Sequence, residues 1–159
     1  MHRPYSPSPP ETATQPSDGI TPEHAALSAS SPAHRAMEAA QIGTWEWRLR
    51  TQRVEWSPET DAIFGLRTGS FDGTFEGFLS RVHHADRSQL ETAIQTAMAD
   101  RQPYLMEHRI ILPEGTIRWV SCRGRAIADE SGNLCGMAGT VEDITGRKET
   151  ELALRDLQQ

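Results

Sequence analysis

Three long segments in the second half of the chain alternate between apolar and polar residues. They cover residues 104–112, 116–128 and 133–143, and a repeat of two is the side-chain period of a β-strand. The turn sequences that join them, residues 113–115 and 129–132, are of hairpin length. The pattern therefore predicts three consecutive antiparallel strands, and any fold of this chain has to be built around them.

A shorter hairpin and two helices are predicted upstream of these strands. Residues 44–49 and 54–56 alternate in the same way around a polar turn, which indicates a second hairpin. Ser31 and Ser57 each precede a proline, so that an N-cap hydroxyl is followed by a residue suited to the first helical position. The first of these helices is expected to end at Gly43.

Two further helices are predicted between the hairpins. The spacing of Phe75, Phe78 and Val82 is helical. Asp86 and Gln89 have the spacing of a capping box, so the Asp86 carboxylate is expected to cap a helix that continues to about residue 101. Hairpin-linked strands with helices between them predict an α+β fold, in which an antiparallel sheet carries its helices on one face.

Composition limits the folded part of the chain and the classes of partner. Residues 1–30 are rich in proline, serine and alanine and poor in large apolar side chains, so they are predicted to form a disordered tail. The net charge is −6, and no run of lysine and arginine occurs, which argues against a nucleic-acid partner. Neither a membrane-spanning apolar run nor a secretory signal is present, so no membrane association and a cytoplasmic location are expected.

The sequence contains no motif of a catalytic centre. A glycine-rich phosphate loop, a nucleophile elbow and a paired His/Glu metal motif are all missing, so a non-enzymatic protein is expected. The adjacent residues His83 and His84 diverge in direction and have no partner at ligand spacing, so no metal site is expected. Cys122 and Cys135 fall on neighbouring strands, and both are expected to be buried and unpaired.

Seven short motifs occur in a characteristic order. With them, the chain from Ala36 to Lys148 resembles a PAS domain of the kind found in bacterial sensor proteins. They are Gly-Thr-Trp-Glu-Trp at 43–47, Trp-Ser at 56–57, Ile-Phe-Gly-Leu at 63–66, Val-His with Asp-Arg at 82–87, Glu-His-Arg-Ile at 107–110, Gly-Thr-Ile-Arg-Trp-Val at 115–120, and Gly-Thr-Val-Glu-Asp-Ile-Thr-Gly-Arg-Lys at 139–148.

The resemblance implies a fold and a division of the chain. The fold is a five-stranded antiparallel sheet with short helices on one face, flanked by N-terminal and C-terminal helices. The PAS domain, with its N-terminal cap helix, would occupy residues 31–145. Residues 146–159 would form the start of a C-terminal signalling helix.

The resemblance also implies a small pocket between the sheet and its helices. On the strand that follows residue 115, alternation places Val120 and Cys122 on the small, mostly apolar face. The pocket candidates are Phe64, Phe78, Met98, Val120 and Cys122. Either these side chains fill the interior, or they enclose a small-molecule ligand.

The resemblance gives two negative expectations about cofactors. Haem sensors of this kind take their axial histidine from the long helix, and residues 86–101 contain none. A covalent flavin adduct requires a cysteine on the preceding helix, and residues 75–83 contain none. Haem and a covalent flavin adduct are therefore disfavoured, and the cofactor is otherwise unknown, with none as the expectation.

The outer face of the sheet is predicted to carry a large aromatic residue that requires cover. Trp119 lies on the face opposite Val120, and the hairpin places Arg109 near it. A guanidinium over an indole contributes roughly 0.5–2 kcal/mol, although an ordinary cross-strand pair is an equally open interpretation. The helix around Met37 or a second copy of the domain could supply further cover. A homodimer, or pairing with another PAS or signalling protein, is therefore predicted.

The last strand leads directly into a charged helix through Asp143, Ile144 and Thr145. In the PAS domains that the chain resembles, these residues connect the sheet to the output helix, so they are predicted to transmit the signal. The leading hypothesis is a sensor or protein-interaction module in signal transduction. Two alternatives remain open: a receptor for a small metabolite, haem or flavin, and the input fragment of a histidine kinase or cyclic-dinucleotide enzyme.

Overall fold

A computed structural model of the protein describes residues 31–158, so the tail predicted for residues 1–30 lies outside the described residues. Within this part the chain forms one sheet with helices before, between and after its strands. In chain order the elements are α1 (Pro32–Ala39), β1 (Ile42–Arg48), β2 (Arg53–Trp56), α2 (Pro58–Ile63), α3 (Phe75–Leu79), a 3-10 turn (His84–Asp86), α4 (Arg87–Asp100), β3 (Tyr104–Ile111), β4 (Ile117–Ala128), β5 (Leu134–Asp143) and α5 (Thr145–Leu157).

The five strands are antiparallel and lie in the order β2-β1-β5-β4-β3. The pairs β1–β2, β3–β4 and β4–β5 each join strands that are neighbours in sequence. β1 also pairs with β5, and this pairing joins the first strand of the domain to the last. This arrangement confirms the α+β class and the five-stranded sheet. It also confirms one detail of register, because Arg109 on β3 lies opposite Trp119 on β4.

The core lies between one face of the sheet and helices α2, α3 and α4. Leu90, Ile94 and Ala97 are the buried residues of α4, as the helical spacing predicts. Burying each large apolar side chain contributes about 2 kcal/mol. The buried residues that complete this cluster on the other elements include Ile63, Phe64, Val82, Ile110, Val120, Met137 and Val141.

Both cysteines are free, but only one is buried. Cys122 is buried as expected, whereas Cys135 is exposed, so the expectation that both lie in the interior was wrong for Cys135. The reason is local, because β5 pairs irregularly with β4 at a bulge between Ile127 and Ala128, and Cys135 lies beside it.

Gly43 does not end α1. The helix stops at Ala39, and Gln41 takes the left-handed backbone conformation, with φ of 56°. Gly43 lies within β1, where a Cβ atom would overlap the hydroxyl of Thr60 and lie 2.7 Å from its amide nitrogen. The glycine is therefore required for the close approach of α2 to β1, not for a helix end.

Side-chain hydrogen bonds fasten α2 to β1 at this point. Ser57 caps α2, as predicted, by accepting a hydrogen bond from the Thr60 amide at 3.4 Å. The same hydroxyl accepts from the Thr44 amide at 2.9 Å, and the Thr60 hydroxyl donates to the Thr44 carbonyl at 2.9 Å. Two of these three bonds hold the start of α2 to the strand.

The predicted start of α4 is confirmed, but the prediction that the Asp86 side chain caps this helix was wrong. Asp86 occupies the N-cap position without a side-chain capping bond. Its carboxylate accepts three hydrogen bonds from Arg109 instead: from the backbone amide at 2.8 Å, from Nε at 3.0 Å and from Nη2 at 2.8 Å. Asp86 therefore joins the start of α4 to β3, because a charged guanidinium is a stronger donor than a helix amide.

Candidate functional site

A small cavity lies between the inner face of the sheet and helices α2 and α3. Its volume is about 50 Å³, which leaves room for only a few atoms. The residues that line it are apolar or aromatic, except Thr60 and Cys122. The aromatic ones are Trp45, Trp47, Trp56, Phe64, Phe75, Phe78 and Tyr104.

In the part of the chain that the structure describes, the aromatic wall contains a fully buried hydrogen-bond donor without a partner. Trp47 stacks on Phe75 with ring centroids 4.8 Å apart, and its indole Nε1 is buried without an acceptor among the described residues. The neighbouring Trp45, by contrast, donates to the Thr140 carbonyl at 3.0 Å. A buried donor without an acceptor is costly, so Trp47 is a point at which a ligand would gain a hydrogen bond.

A buried histidine lies behind the cavity. His108 on β3 has no exposed surface, and its Nε2 lies 3.5 Å from Sγ of Cys122, which lines the cavity. His108 Nδ1 lies 3.4 Å from the Arg109 carbonyl, and a carbonyl can only accept. Nδ1 therefore carries the proton, and Nε2 accepts from the thiol.

Burial suppresses the reactivity of both groups. It raises the pKa of the Cys122 thiol to about 12 and lowers the pKa of His108 below its ordinary value. The thiol is therefore not a nucleophile at neutral pH, and the imidazole is neutral.

His108 is expected to make the stability of the domain depend on pH. Because its pKa is lowered on folding, the unfolded chain binds the proton more readily. Stability is complete above the ordinary histidine value of about 6.5 and falls below it, by at most about 1.4 kcal/mol per pH unit. Urea unfolding at a series of pH values between 7.5 and 5 should show this slope in the wild type and in the exposed-site control His84→Gln. The slope should be smaller in His108→Leu, where the lowered pKa of His83 still contributes, and an equal slope in all three proteins would contradict the assignment.

The exit from β5 into α5 is fixed by the hydroxyl of Thr145. The hydroxyl donates to Asp143 Oδ1 at 2.6 Å and accepts from the Trp119 amide at 3.0 Å. The Ile144 amide donates to the Trp119 carbonyl at 2.9 Å, and the Ile144 side chain is buried. These contacts bring the three predicted transmission residues together against β4.

Arg118 links this junction to the helix that borders the cavity. Its Nη1 donates to the carbonyls of Ala62 and Ile63, at 3.1 Å and 2.7 Å, at the end of α2. Its Nε lies 3.7 Å from the Asp143 carboxylate. The Arg118 side chain therefore connects the end of α2 to the end of β5, where α5 begins.

The outer face beside the junction carries three cations and an acidic residue. Arg109 lies 5.5 Å and Lys148 lies 4.9 Å from the ring of Trp119. Lys148 and Arg147 of α5 also pair with Glu107, at 2.9 Å and 2.6 Å. These two cations, Lys148 first, lower the pKa of the Glu107 carboxyl.

The predicted site residues fall into three groups. Phe64, Phe78 and Cys122 line the cavity, whereas Val120 and Met98 pack in the core beside it. Asp143, Ile144 and Thr145 meet at the junction, and Arg109 meets Trp119. Met37 belongs to α1, which packs on β1. Arg109 and Lys148 of α5 lie over Trp119, and cover by α1 stays a prediction.

Three functional residues were not predicted from the sequence: Arg118, Glu107 and Trp47. Arg118 and Glu107 stand inside the seven motifs. The signal of Glu107 is a charge on the polar face of its strand, and that of Arg118 is a charge on the face that carries Val120, near the start of β4. Trp47 also stands inside a motif, at 43–47, but its missing acceptor is a property of the packed interior that no local pattern shows.

Comparison with known proteins places the chain among sensor domains. The sequence profile of the PAS fold family matches residues 53–141. The chain is 28% identical over 119 residues to the sensor protein FixL of Bradyrhizobium diazoefficiens, covering 75% of this chain and 23% of that protein. It is 30% identical over 115 residues to a blue-light-activated histidine kinase of Brucella ovis, covering 72% and 22%. The chain thus spans about a quarter of the length of these curated relatives.

Solved structures show the same fold. A sensory box histidine kinase/response regulator from Burkholderia thailandensis superposes with a TM-score of 0.69 at 28% identity, over 79% of this chain and 94% of that chain. The N-terminal domain of a diguanylate cyclase with a PAS/PAC sensor from Marinobacter aquaeolei gives 0.62 at 19% identity, over 67% and 98%, a similarity that concerns the fold alone. No helix within residues 31–158 has the length and apolar character that crossing a membrane requires.

Proposed function

Because this chain belongs to the PAS fold family, we propose that it is a sensor or protein-interaction module that passes a signal from its sheet to α5. The observation that carries the proposal is the bonding of Thr145 to both Asp143 and Trp119. These bonds fix the direction in which α5 leaves the sheet. Sensor and kinase relatives support a signalling role.

The proposed route of the signal begins at the cavity. Thr60 and Phe64, at either end of α2, line the cavity, so a change of its contents displaces that helix. Arg118 holds the last carbonyls of α2 and also pairs with Asp143. A displacement of α2 therefore changes the position of the Asp143 carboxylate and the bond that it accepts from Thr145.

In this proposal the module itself is non-enzymatic and acts in the cytoplasm. Any reaction belongs to a connected or partner domain, such as a histidine kinase or a cyclic-dinucleotide enzyme. The outer sheet face and the flanking helices form the surface for a homodimer or for another signalling protein. Light scattering at high concentration tests the dimer, and a strict monomer contradicts it.

Thr145→Val tests the junction. The substitution keeps the shape of the side chain but removes the hydroxyl's bond to Asp143 and leaves the Trp119 amide without its acceptor. The bond from the amide of residue 145 to Asp143, at 3.0 Å, is kept. The amides of α5 should exchange with deuterium about tenfold faster, which corresponds to about 1.4 kcal/mol. Thr150→Val is the matched control, because the Thr150 hydroxyl bonds only within its own helix, to the Gly146 carbonyl at 3.1 Å. Equal exchange of α5 in the two variants would contradict the proposal.

A second candidate function, small-ligand binding, is supported by the unpartnered indole nitrogen of Trp47. The ligand would be uncharged, contain few heavy atoms and present a hydrogen-bond acceptor. Pockets for larger ligands measure about 300–1,000 Å³, so a flavin or haem requires the stacked pair of Trp47 and Phe75 to move away from the present cavity of about 50 Å³. That neither cofactor is bound remains a prediction. Native mass spectrometry tests whether a small ligand is bound, and an absorption spectrum tests whether haem or flavin is bound. A Soret or flavin band would contradict the prediction that neither cofactor is present.

A further inference from the structure

We propose that His34, Glu38 and Glu59 form a binding site for a divalent transition metal of the zinc class, which joins α1 to α2. His34 and Glu38 are one turn apart on α1, so they share a face of the helix. Glu59 lies in the first turn of α2. One donor atom from each residue can be chosen such that all three lie within 4.8 Å of one another.

The donor set and its spacing suit zinc. Three-residue sites of imidazole and carboxylate ligands with an open fourth position are typical of zinc. Bonds of about 2.0–2.2 Å in a tetrahedron place two ligand atoms about 3.4 Å apart. His34 Nε2 and Glu59 Oε1 are already 3.5 Å apart. Glu38 is exposed, so rotation of its side chain can bring its carboxylate to the same centre.

The surroundings of the three residues favour a cation. A cavity of about 260 Å³ adjoins them and is lined by Glu38, Glu59, Asp143 and Arg118. Arg118 is engaged with the Asp143 carboxylate and with the carbonyls of Ala62 and Ile63, so the carboxylates of Glu38 and Glu59 line the cavity without an ion pair to this arginine. The cavity also has room for the water molecules that complete the coordination of a metal. The side chains of His34 and Glu59 are only 21% and 17% exposed, so solvent screens their interaction with a cation less than at an open surface.

Metal binding at this place would act on the signalling route. Glu59 opens α2, and the end of α2 holds Arg118, which pairs with Asp143 at the exit. A metal that clamps α1 to α2 would restrict the movement of α2. This consequence rests on the proposed function, whereas the binding of metal does not.

Isothermal titration of the chelator-treated full chain with ZnCl₂ alone tests the site. One equivalent of zinc is expected to bind, and Mg²⁺ is expected not to bind, because an imidazole donor favours zinc over magnesium. His34→Ala and Glu38→Gln should each weaken zinc binding at least tenfold. The control variant His83→Gln/His84→Gln should bind as the wild type does, and far-UV circular dichroism should show that every variant is folded.

Two outcomes would overturn the proposal. One is zinc binding that is unchanged in both His34→Ala and Glu38→Gln; the other is binding that is lost only in the double histidine control. If titration confirms the site but adding zinc leaves the deuterium exchange of α5 unchanged, the metal site is still supported. That result would remove its link to the proposed signalling route.

Discussion

Replacing Gly43 by alanine is expected to lower the free energy of unfolding by about 3 kcal/mol, at the upper end of the usual cost of overpacking. The new methyl group would overlap the Thr60 hydroxyl and lie 2.7 Å from the Thr60 amide nitrogen and 2.8 Å from its Cα. Since two of these three atoms belong to the backbone, a side-chain rotation cannot relieve the overlap. Helix α2 must therefore move away from β1, and the bonds between Thr44, Ser57 and Thr60 are weakened.

Gly146→Ala is the matched control for this prediction. Gly146 lies in α5, and a Cβ there would have no atom within 4 Å. Because alanine is the better helix former, the control should be neutral or more stable by up to about 1 kcal/mol. Thermal or urea unfolding of both variants measures the difference. A Gly43→Ala protein as stable as the control would show that α2 does not pack against β1 as described.

Local patterns were sufficient to predict the strands and their hairpins, whereas the single five-stranded sheet was implied by the resemblance to PAS domains. Side chains alternate along a strand whatever lies above it, and a short turn sets which residues face each other. Arg109 was therefore placed beside Trp119 correctly. The junction could be found for the same reason, because Asp143, Ile144 and Thr145 are contiguous and their bonds reach only to the neighbouring strand.

Contacts between elements distant in sequence could not be predicted in this way. Gly43 suggests a helix end by its residue type, and only the approach of Thr60 shows its real role. Asp86 suggests a helix cap by its spacing, and only the fold shows that a stronger donor is nearby. The pairing of His34 with Glu59 likewise depends on how α1 packs, which a sequence pattern of either helix alone does not contain.

Replacing Asp86 by alanine is expected to destabilise the domain by about 3 kcal/mol, because it removes three hydrogen bonds to Arg109 and leaves a guanidinium without its partner. The side chain of Asp86 is only 14% exposed, so water replaces the lost bonds poorly. The melting temperature should fall by roughly 10 °C. Asp100→Ala, at the exposed end of α4, should leave it nearly unchanged.

The free energy of unfolding that Asp86→Ala loses should depend on pH, in the direction set by the pKa of the Asp86 carboxyl. The hydrogen bond from Arg109 lowers the pKa of the Asp86 carboxyl. Its contribution is therefore complete above the ordinary carboxyl value of about 3.9 and is lost as the pH falls through the lowered folded-state value. The stabilities of the wild type and the variant should differ fully at pH 7 and converge in acid.

Deuterium exchange of α5 should also rise in the variant, because a released Arg109 no longer lies over Trp119 next to Lys148. If the variant loses the full predicted stability while the deuterium exchange of α5 is unchanged, Asp86 stabilises the fold without influencing α5.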